Sequence, residues 1–291
     1  MQMNNYIELV NEKLDEYLQI EYPETIFKSM KYTLSLPGKR LRPVMCLEVC
    51  RLFGGDIEDA LPTACAIEML HVQTLIHDDM PCMDNDDFRR GKPSNHKVFG
   101  EAIALLAGDA FLTYAPQIIT KYSKNLSPSV LIRVLNEYFN FAGARGVIAG
   151  QVIDIESVNT QIENKENILE YLHTHKTSDL FQLAMRTGAI IAGADDEKIA
   201  AVTEFAKTFG LAFQVADDIL DEVSTFEQMG KTLGKDKEEG KLTYVSLYGL
   251  NESKCKLTCL FEKCHDIMKQ HNIESKIFVD MIQKISERAG I

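Results

Sequence analysis

The sequence predicts an all-α protein folded as one domain over residues 1–291. Three observations point that way. Apolar residues recur at spacings of three and four along nearly the whole chain, the period of helices with one buried face. No segment alternates apolar and polar residues as a half-buried strand would. Hydrophobic residues make up 45% of 291 positions, enough for a sizeable core, and no fixed-period repeat or low-complexity linker divides the chain.

The elements follow in order. Residues 5–19 form a first amphipathic helix and 23–35 a second, with Pro23 suited to a first turn. Residues 43–53 form a third, stopped by Gly54-Gly55. The stretch 58–77 is apolar nearly all round, so it belongs at the centre. Further helices are expected at 101–122, 129–149, 166–175, 177–192, 196–221, 243–250, 252–270 and 274–287. Two segments break the rhythm: 81–97, polar with Gly91 and Pro93, and 230–241, rich in Lys and Gly. Each directly follows a cluster of aspartates, and loops on a rigid scaffold are a usual place for function.

The bulk composition excludes several classes. A net charge of −12 leaves no broadly basic face for nucleic acid. Seven Cys without CxxC pairs read as reduced thiols of a cytoplasmic protein, not as a disulfide framework or zinc site. The first ten residues lack a basic segment followed by an apolar one, and no uninterrupted apolar run is long enough to span a membrane. No prenylation box ends the chain.

The aspartates are the informative feature. Asp217 and Asp221 are four residues apart, so they share a helix face with Gln214. Such a stripe is ordinarily solvated. Here the flanks are Phe213, Val215, Ala216, Ile219 and Leu220, which argues for a cleft wall. Asp78, Asp79 and Asp84 end the central helix, where Pro81 lets the chain turn Asp84 back toward Asp78. Carboxylates on apolar helices need a counter-charge. Hard oxygen ligands suit Mg²⁺, which keeps much of its water and shares substrate phosphates.

Cations complete the pattern. Lys39, Arg40 and Arg42 flank a helix start, and Arg89, Arg90 and Lys92 follow the first aspartates. Arginine pairs suit bidentate phosphate contact and a helix start adds backbone donors. Two phosphate sites result, one through metal and one direct. Lys176-Thr177 precedes a helical run with Ser178 or Asp179 as cap, and His173 and His175 read as ordinary polar residues.

Together these residues resemble the all-trans short-chain prenyl diphosphate synthases, the farnesyl and geranylgeranyl diphosphate synthase family. The likeness runs from Gly38-Lys-Arg-Leu-Arg-Pro43 to Gly240-Lys-Leu-Thr-Tyr244. It includes His71…Asp78-Asp-Met-Pro-Cys-Met-Asp84…Arg89-Arg90-Gly and Gln214…Asp217-Asp-Ile-Leu-Asp221. It implies an isoprenoid synthase helical bundle with a deep central cavity, acting as a homodimer. It implies that Asp78, Asp84 and Asp217, supported by Asp79 and Asp221, hold about three Mg²⁺ ions. Arg89, Lys176, Lys231 and Lys241 would contact the allylic diphosphate. Lys39, Arg42, His71 and Arg90 would hold isopentenyl diphosphate, and Lys176, Thr177 and Gln214 would be catalytic, the last two along the carbocation. The loop 230–241 would close as a lid.

Product length depends on the depth below Asp78. Many farnesyl-producing relatives carry an aromatic residue five positions before it. Here that position is Gln73, beside Thr74. The overall likeness favours farnesyl diphosphate, C15, with geranylgeranyl diphosphate, C20, as the alternative. A terpene cyclase would carry a mixed second metal site rather than Asp-Asp-Ile-Leu-Asp. A non-catalytic synthase subunit would lack metal-binding aspartates that this chain retains. A purely structural bundle would have no reason to gather acids at two cleft ends.

Overall fold

A computed structural model of the chain describes residues 2–158, 163–223 and 240–291. It consists of helices around one central pair. α1 (Met3–Tyr17), α2 (Glu24–Leu34) and α3 (Leu41–Leu52) lead to α4 (Ile57–Asp78). A two-stranded hairpin, β1 (Phe88–Arg89) and β2 (Lys92–Pro93), is followed by α5 (Asn95–Phe99) and α6 (Glu101–Tyr122). Then come α7 (Pro128–Ala142), α8 (Val147–Ser157), α9 (Lys165–His173), α10 (Asp179–Ile191) and α11 (Asp196–Val223). After the interval 224–239, α12 (Tyr244–Tyr248), α13 (Leu250–His271) and α14 (Lys276–Ala289) close the chain.

The centre is α4. Asp56 caps it by accepting the N–H of Glu58 at 3.0 Å. Its side chains are buried from Ala60 to Leu70 without a break, which is why the sequence reads apolar all round. It packs against α3, α6 and α10. The other long axis is α11, whose inward face packs on α10, α13 and α14. Aromatic rings link these layers: Phe278 stacks on Phe205 at 5.1 Å, Phe205 on Phe209 at 5.9 Å, and Phe209 meets Phe181 edge-on at 5.3 Å. Each such pair adds about 1 kcal/mol beyond simple burial. The line ends under a cation, since Arg42 lies 4.5 Å over the ring of Phe181.

Four departures from the sequence reading bear on the site. The helix expected over 129–149 breaks at 143–146 into α7 and α8, because Gly143 and Gly146 flank Ala144-Arg145 there. The chain bends, and α8 swings over the cavity. Residues 166–192 do not break at Lys176; they run on through a π-helical turn, Thr174–Ser178, into α10. Ser178 therefore caps nothing; its hydroxyl donates to the carbonyl of Lys207 at 3.2 Å. The helix expected over 243–250 stops at Tyr248, where Gly249 takes φ +80°. The segment 81–97 contains the hairpin, whose turn residues Arg90 and Gly91 both have positive φ.

The π turn is gripped from two sides. A Cβ on Gly150 of α8 would stand 2.2 Å from the backbone nitrogen of Lys176. A Cβ on Gly210 of α11 would stand 2.5 Å from Ser178. Only glycine permits these approaches. π turns cluster at functional sites because the extra residue redirects side chains, and this one turns Lys176 and Thr177 into the cavity.

Candidate active site

Three adjoining cavities lie between α4 and α11, two of them also walled by α8. The first, about 200 Å³, is lined by Asp78 at the end of α4, Asp84 in the turn after it, and Asp217 and Asp221 on α11. The chain returns Asp84 as expected: its N–H donates to the carbonyl of Asp78 at 2.9 Å. Among the described residues no three carboxylate, imidazole or thiol side chains form a metal cage by themselves. Mg²⁺ takes few protein oxygens and shares its shell with water and phosphate. The donors here are oxygens. Burial pushes the Asp78 carboxyl above the usual carboxylate range, as expected of a group whose charge needs a cation to be comfortable.

Cations face these acids. Lys176 Nζ donates to Asp154 at 2.6 Å, and Lys241 Nζ to Asp84 at 2.9 Å. Burial opposes the charge on Lys176, but Asp78, Asp154 and Asp84 hold its pKa above the ordinary lysine value. Burial likewise pushes Asp84 up, and the ammonium groups of Lys176 and Lys241 outweigh it and bring it down. Asp79 is placed differently from the sequence reading. It does not line the first cavity; it is buried and accepts Arg89 Nε at 2.9 Å, with a second contact from the same guanidinium. Its work is to hold Arg89, because the last turn of α4 points it at the hairpin. Lys231 lies outside the described residues, as does most of the expected lid.

The second cavity, about 330 Å³, gathers Lys39, Arg42, His71 and Arg90, the full set expected for a second diphosphate. Burial, and after it Arg42 and Arg90, hold the His71 pKa well below the usual histidine value. Its imidazole is neutral and can donate one N–H without adding charge. Burial lowers Lys39, and Arg288 from α14 lowers it further. Arg40 also lines the cavity, but its guanidinium is spent on Glu68 and the loop. It has φ +47° and is 5% exposed, with Nη1 2.7 Å from Glu68 and Nη2 donating to the carbonyl of Leu34 at 2.8 Å. That anchor presents Lys39 and Arg42.

The third cavity is larger, about 520 Å³, and mostly apolar. Leu112, Val147, Val152 and Phe213 line it, with Gln73 and Thr74 from α4. Asp78, Lys176, Gln214 and Asp217 belong to both this cavity and the carboxylate one. Thr177 stands at the same junction and donates its hydroxyl to Gln214 Oε1 at 2.7 Å. The arrangement is a charged end for an anionic head and a dry, greasy channel for a tail.

Several lining residues were not expected, three of them ionisable groups that bear on the site's charge. Asp154 lies on α8 within the otherwise apolar run Val147–Ile155 and contacts Lys176. A lone acid on an apolar helix was a usable signal. His173, read as an ordinary polar residue, lines the first cavity 3.8 Å from Asp218. Burial, then Lys176, lowers its pKa to about 3, so it is neutral. Arg288 reaches the second cavity from the end of the chain, and nothing local marks it.

Residues 23–281 match the Polyprenyl synthetase family. The chain belongs to this family. A dimethylallyltranstransferase from Fischerella ambigua is 47% identical over 260 residues, 88% of this chain and 74% of that protein. A chloroplastic geranylgeranyl pyrophosphate synthase from Catharanthus roseus is 46% identical over 245 residues, 84% of this chain and 68% of the relative. A geranyltransferase from Helicobacter pylori, solved with magnesium and isoprenyl diphosphate, superposes with a TM-score of 0.84 at 28% identity, covering 99% of this chain and 94% of that one. As a polyprenyl synthetase relative, the protein is a short-chain prenyl diphosphate synthase, a prenyltransferase of isoprenoid biosynthesis with the all-α fold. Its substrates are isoprenyl diphosphates, and the family uses Mg²⁺.

Proposed function

We propose that this synthase extends allylic diphosphates with isopentenyl diphosphate to a C20 product, geranylgeranyl diphosphate. The observation that carries the reading is the state of Gln73. It is not a ring, and its amide lies 3.0 Å from His77 Nδ1, whose Nε2 lies 3.1 Å from the carbonyl of Leu105 on α6. The side chain is thus tied along the wall between α4 and α6, where an aromatic residue would cross the channel. Several relatives at 44–46% identity carry the name geranylgeranyl diphosphate or pyrophosphate synthase, which supports the same reading. The C15 product favoured by the overall likeness remains the second reading. Leu112 of α6, which also lines the channel, supports it as another floor.

In this proposal Asp78, Asp84 and Asp217 would hold about three Mg²⁺ ions, which would supply neutralising charge for a departing diphosphate. Arg89, Lys176 and Lys241 bind the allylic diphosphate, which they meet as a group of converging cations. Its C–O bond breaks and the electron pair leaves with the diphosphate. Lys39, Arg42, His71 and Arg90 hold isopentenyl diphosphate with its double bond beside the cation. The double bond attacks, and the released diphosphate takes the proton that closes the new double bond. Phe213, Leu112 and Val147 exclude water that would quench the cation.

The proposal includes a homodimer in the reducing cytoplasm. Leu105, Leu106, Phe139, Ile148, Val152 and Ile155 are each about half exposed on α6, α7 and α8, an apolar face a second copy would cover. All seven thiols are free, which suits that compartment. Light scattering on the eluting peak tests the dimer. Product analysis tests the reaction: labelled isopentenyl diphosphate, Mg²⁺ and a C5, C10 or C15 primer, with dephosphorylated products separated by length. A dominant C20 product is expected; a dominant C15 product would replace it with the second reading.

A further inference from the structure

The two aspartates that open the second acidic cluster face different tasks. Asp217 lines all three cavities, whereas Asp218 lines only the carboxylate one. Asp218 is 5% exposed. Its Oδ2 accepts the backbone N–H of Tyr244, at the start of α12, at 2.8 Å. Its Oδ1 accepts Gln214 Nε2 at 2.9 Å. Gln214 Oε1 then accepts the hydroxyl of Thr177 at 2.7 Å.

A carboxylate accepts hydrogen bonds and donates none. A primary amide lying against it must therefore turn its NH₂ toward the carboxylate and its oxygen away. Away, for Gln214, is Thr177 and the junction of the carboxylate and apolar cavities. Thr177 has one hydroxyl proton, and that proton is committed to Gln214 Oε1. Both residues then offer oxygen lone pairs at this junction instead of N–H or O–H.

We infer that Asp218 is a positioning residue that fixes the amide orientation of Gln214, and through it the polarity of Thr177. Oxygen then lines the point where an electron-deficient allylic carbon forms. The inference rests on the prenyl-transfer reading of the site. Its physical content is dipole preorganisation: the negative ends are in place before charge develops, so no reorganisation is needed at the moment of reaction. Reversing the amide would set a donor N–H beside a carbocation.

Exchanging the two side chains' chemistry tests this. In Asp218→Asn only one oxygen remains. If it serves Tyr244, the new N–H faces Gln214, which turns its oxygen inward and its NH₂ toward the junction. The expected result is a fall in kcat of about 10²-fold, the usual scale for losing one preorganised dipole, with KM for both substrates nearly unchanged. Gln214→Glu alone sets two carboxylates together and is also slow. The double variant, Asp218→Asn with Gln214→Glu, rebuilds the chain. Tyr244 N–H donates to Asn oxygen, Asn N–H to Glu oxygen, and Thr177 O–H to the other Glu oxygen, with net charge conserved.

Recovery of about tenfold or more in kcat over Asp218→Asn is expected for the double variant, a partial return on the preorganisation scale. Wild-type kcat in Asp218→Asn, or no recovery in the double variant, would overturn the inference; a direct metal-ligand role for Asp218 predicts no recovery. Thermal midpoints accompany each variant. If Asp218→Asn does not fold, Gln214→Leu reads the same dipole with Asp218 intact, and a wild-type kcat there would overturn it. Absence of any elongation by the wild-type chain would overturn the prenyl-transfer reading and this inference with it. Wild-type turnover with an unresponsive exchange would overturn the inference alone.

Discussion

The guanidinium of Arg89 rests on Asp79, 2.9 Å from Nε to Oδ1, with Asp86 Oδ2 3.5 Å from Nη2. Both acids are largely buried. The first acidic cluster is therefore divided: Asp78 and Asp84 face the cavity, and Asp79 aims a cation at it. Removing one partner of a buried pair strands the other, at a cost of about 3–5 kcal/mol. Asp79→Ala is expected to lower the thermal midpoint and to raise KM for the allylic diphosphate more than it lowers kcat. A variant with unchanged stability would show that Arg89 finds another holder.

Asp78→Ala and Asp217→Ala act on the other half of that division. Each is expected to lower kcat by about 10³-fold or more, the scale of lost electrostatic stabilisation in a dry site. The fold should survive, because both acids stand at cavity walls and Lys176 keeps its bond to Asp154. Steady-state rates against Mg²⁺ concentration, with thermal midpoints alongside, check this. Near-normal turnover in either would sink the proposed metal ligands.

Gln73→Tyr is expected to shorten the product by one isoprene unit. The ring would lose the link to His77 and stand across the channel. Chain-length analysis with a C10 primer reads this directly. An unchanged product would move the floor of the channel to Leu112 or its neighbours on α6.

Gly150→Ala tests the grip on the π turn. The added Cβ meets the Lys176 backbone nitrogen at 2.2 Å, so helix α8 or the turn must shift. Overpacking of this kind costs about 1–3 kcal/mol. Because Lys176 and Thr177 ride on the turn, kcat should fall together with the thermal midpoint. Full activity at a lowered midpoint would show that the turn's position is not critical.

Asp179 gives a pH-dependent term in stability. Burial, opposed by the hydrogen bond to His175, raises its pKa from 3.8 to about 6. The folded state thus holds a proton that the unfolded chain has released. This contribution is complete below about pH 4 and is lost as pH rises through about 6. Asp179→Asn should remove that slope, so the stability of wild type relative to the variant should fall across this window. Denaturant midpoints at intervals from pH 4 to 7 would reveal it, and parallel curves would refute it.

Much of the site was readable from residue types alone, for a definite reason. Asp78, Asp217 and Asp221 are acids on apolar helices, Asp84 follows one of them closely, and Lys39, Arg42 and Arg90 are clustered cations in an acidic chain. Such residues are out of place unless something gathers them. The helices were legible wherever one face is buried, as in α4 and α11. What stayed hidden depends on packing between segments distant in sequence. The close approach of Gly150 to Lys176 decides that 174–178 is a π turn, and Arg288 reaches Lys39 across most of the chain. The separate duty of Asp79 was hidden too. Adjacent residues on a helix end point in different directions, and only the hairpin says what lies there.

Arg89 and Asp217 are walls of both the carboxylate cavity and the cationic one. An anion bound in either cavity therefore alters the field that an anion meets in the other. Such coupling is reciprocal at equilibrium: whatever factor the first ligand contributes to the affinity of the second, the second returns to the first. A preferred order of addition in this enzyme then reflects how each ligand binds the empty enzyme, since the coupling itself favours both orders equally.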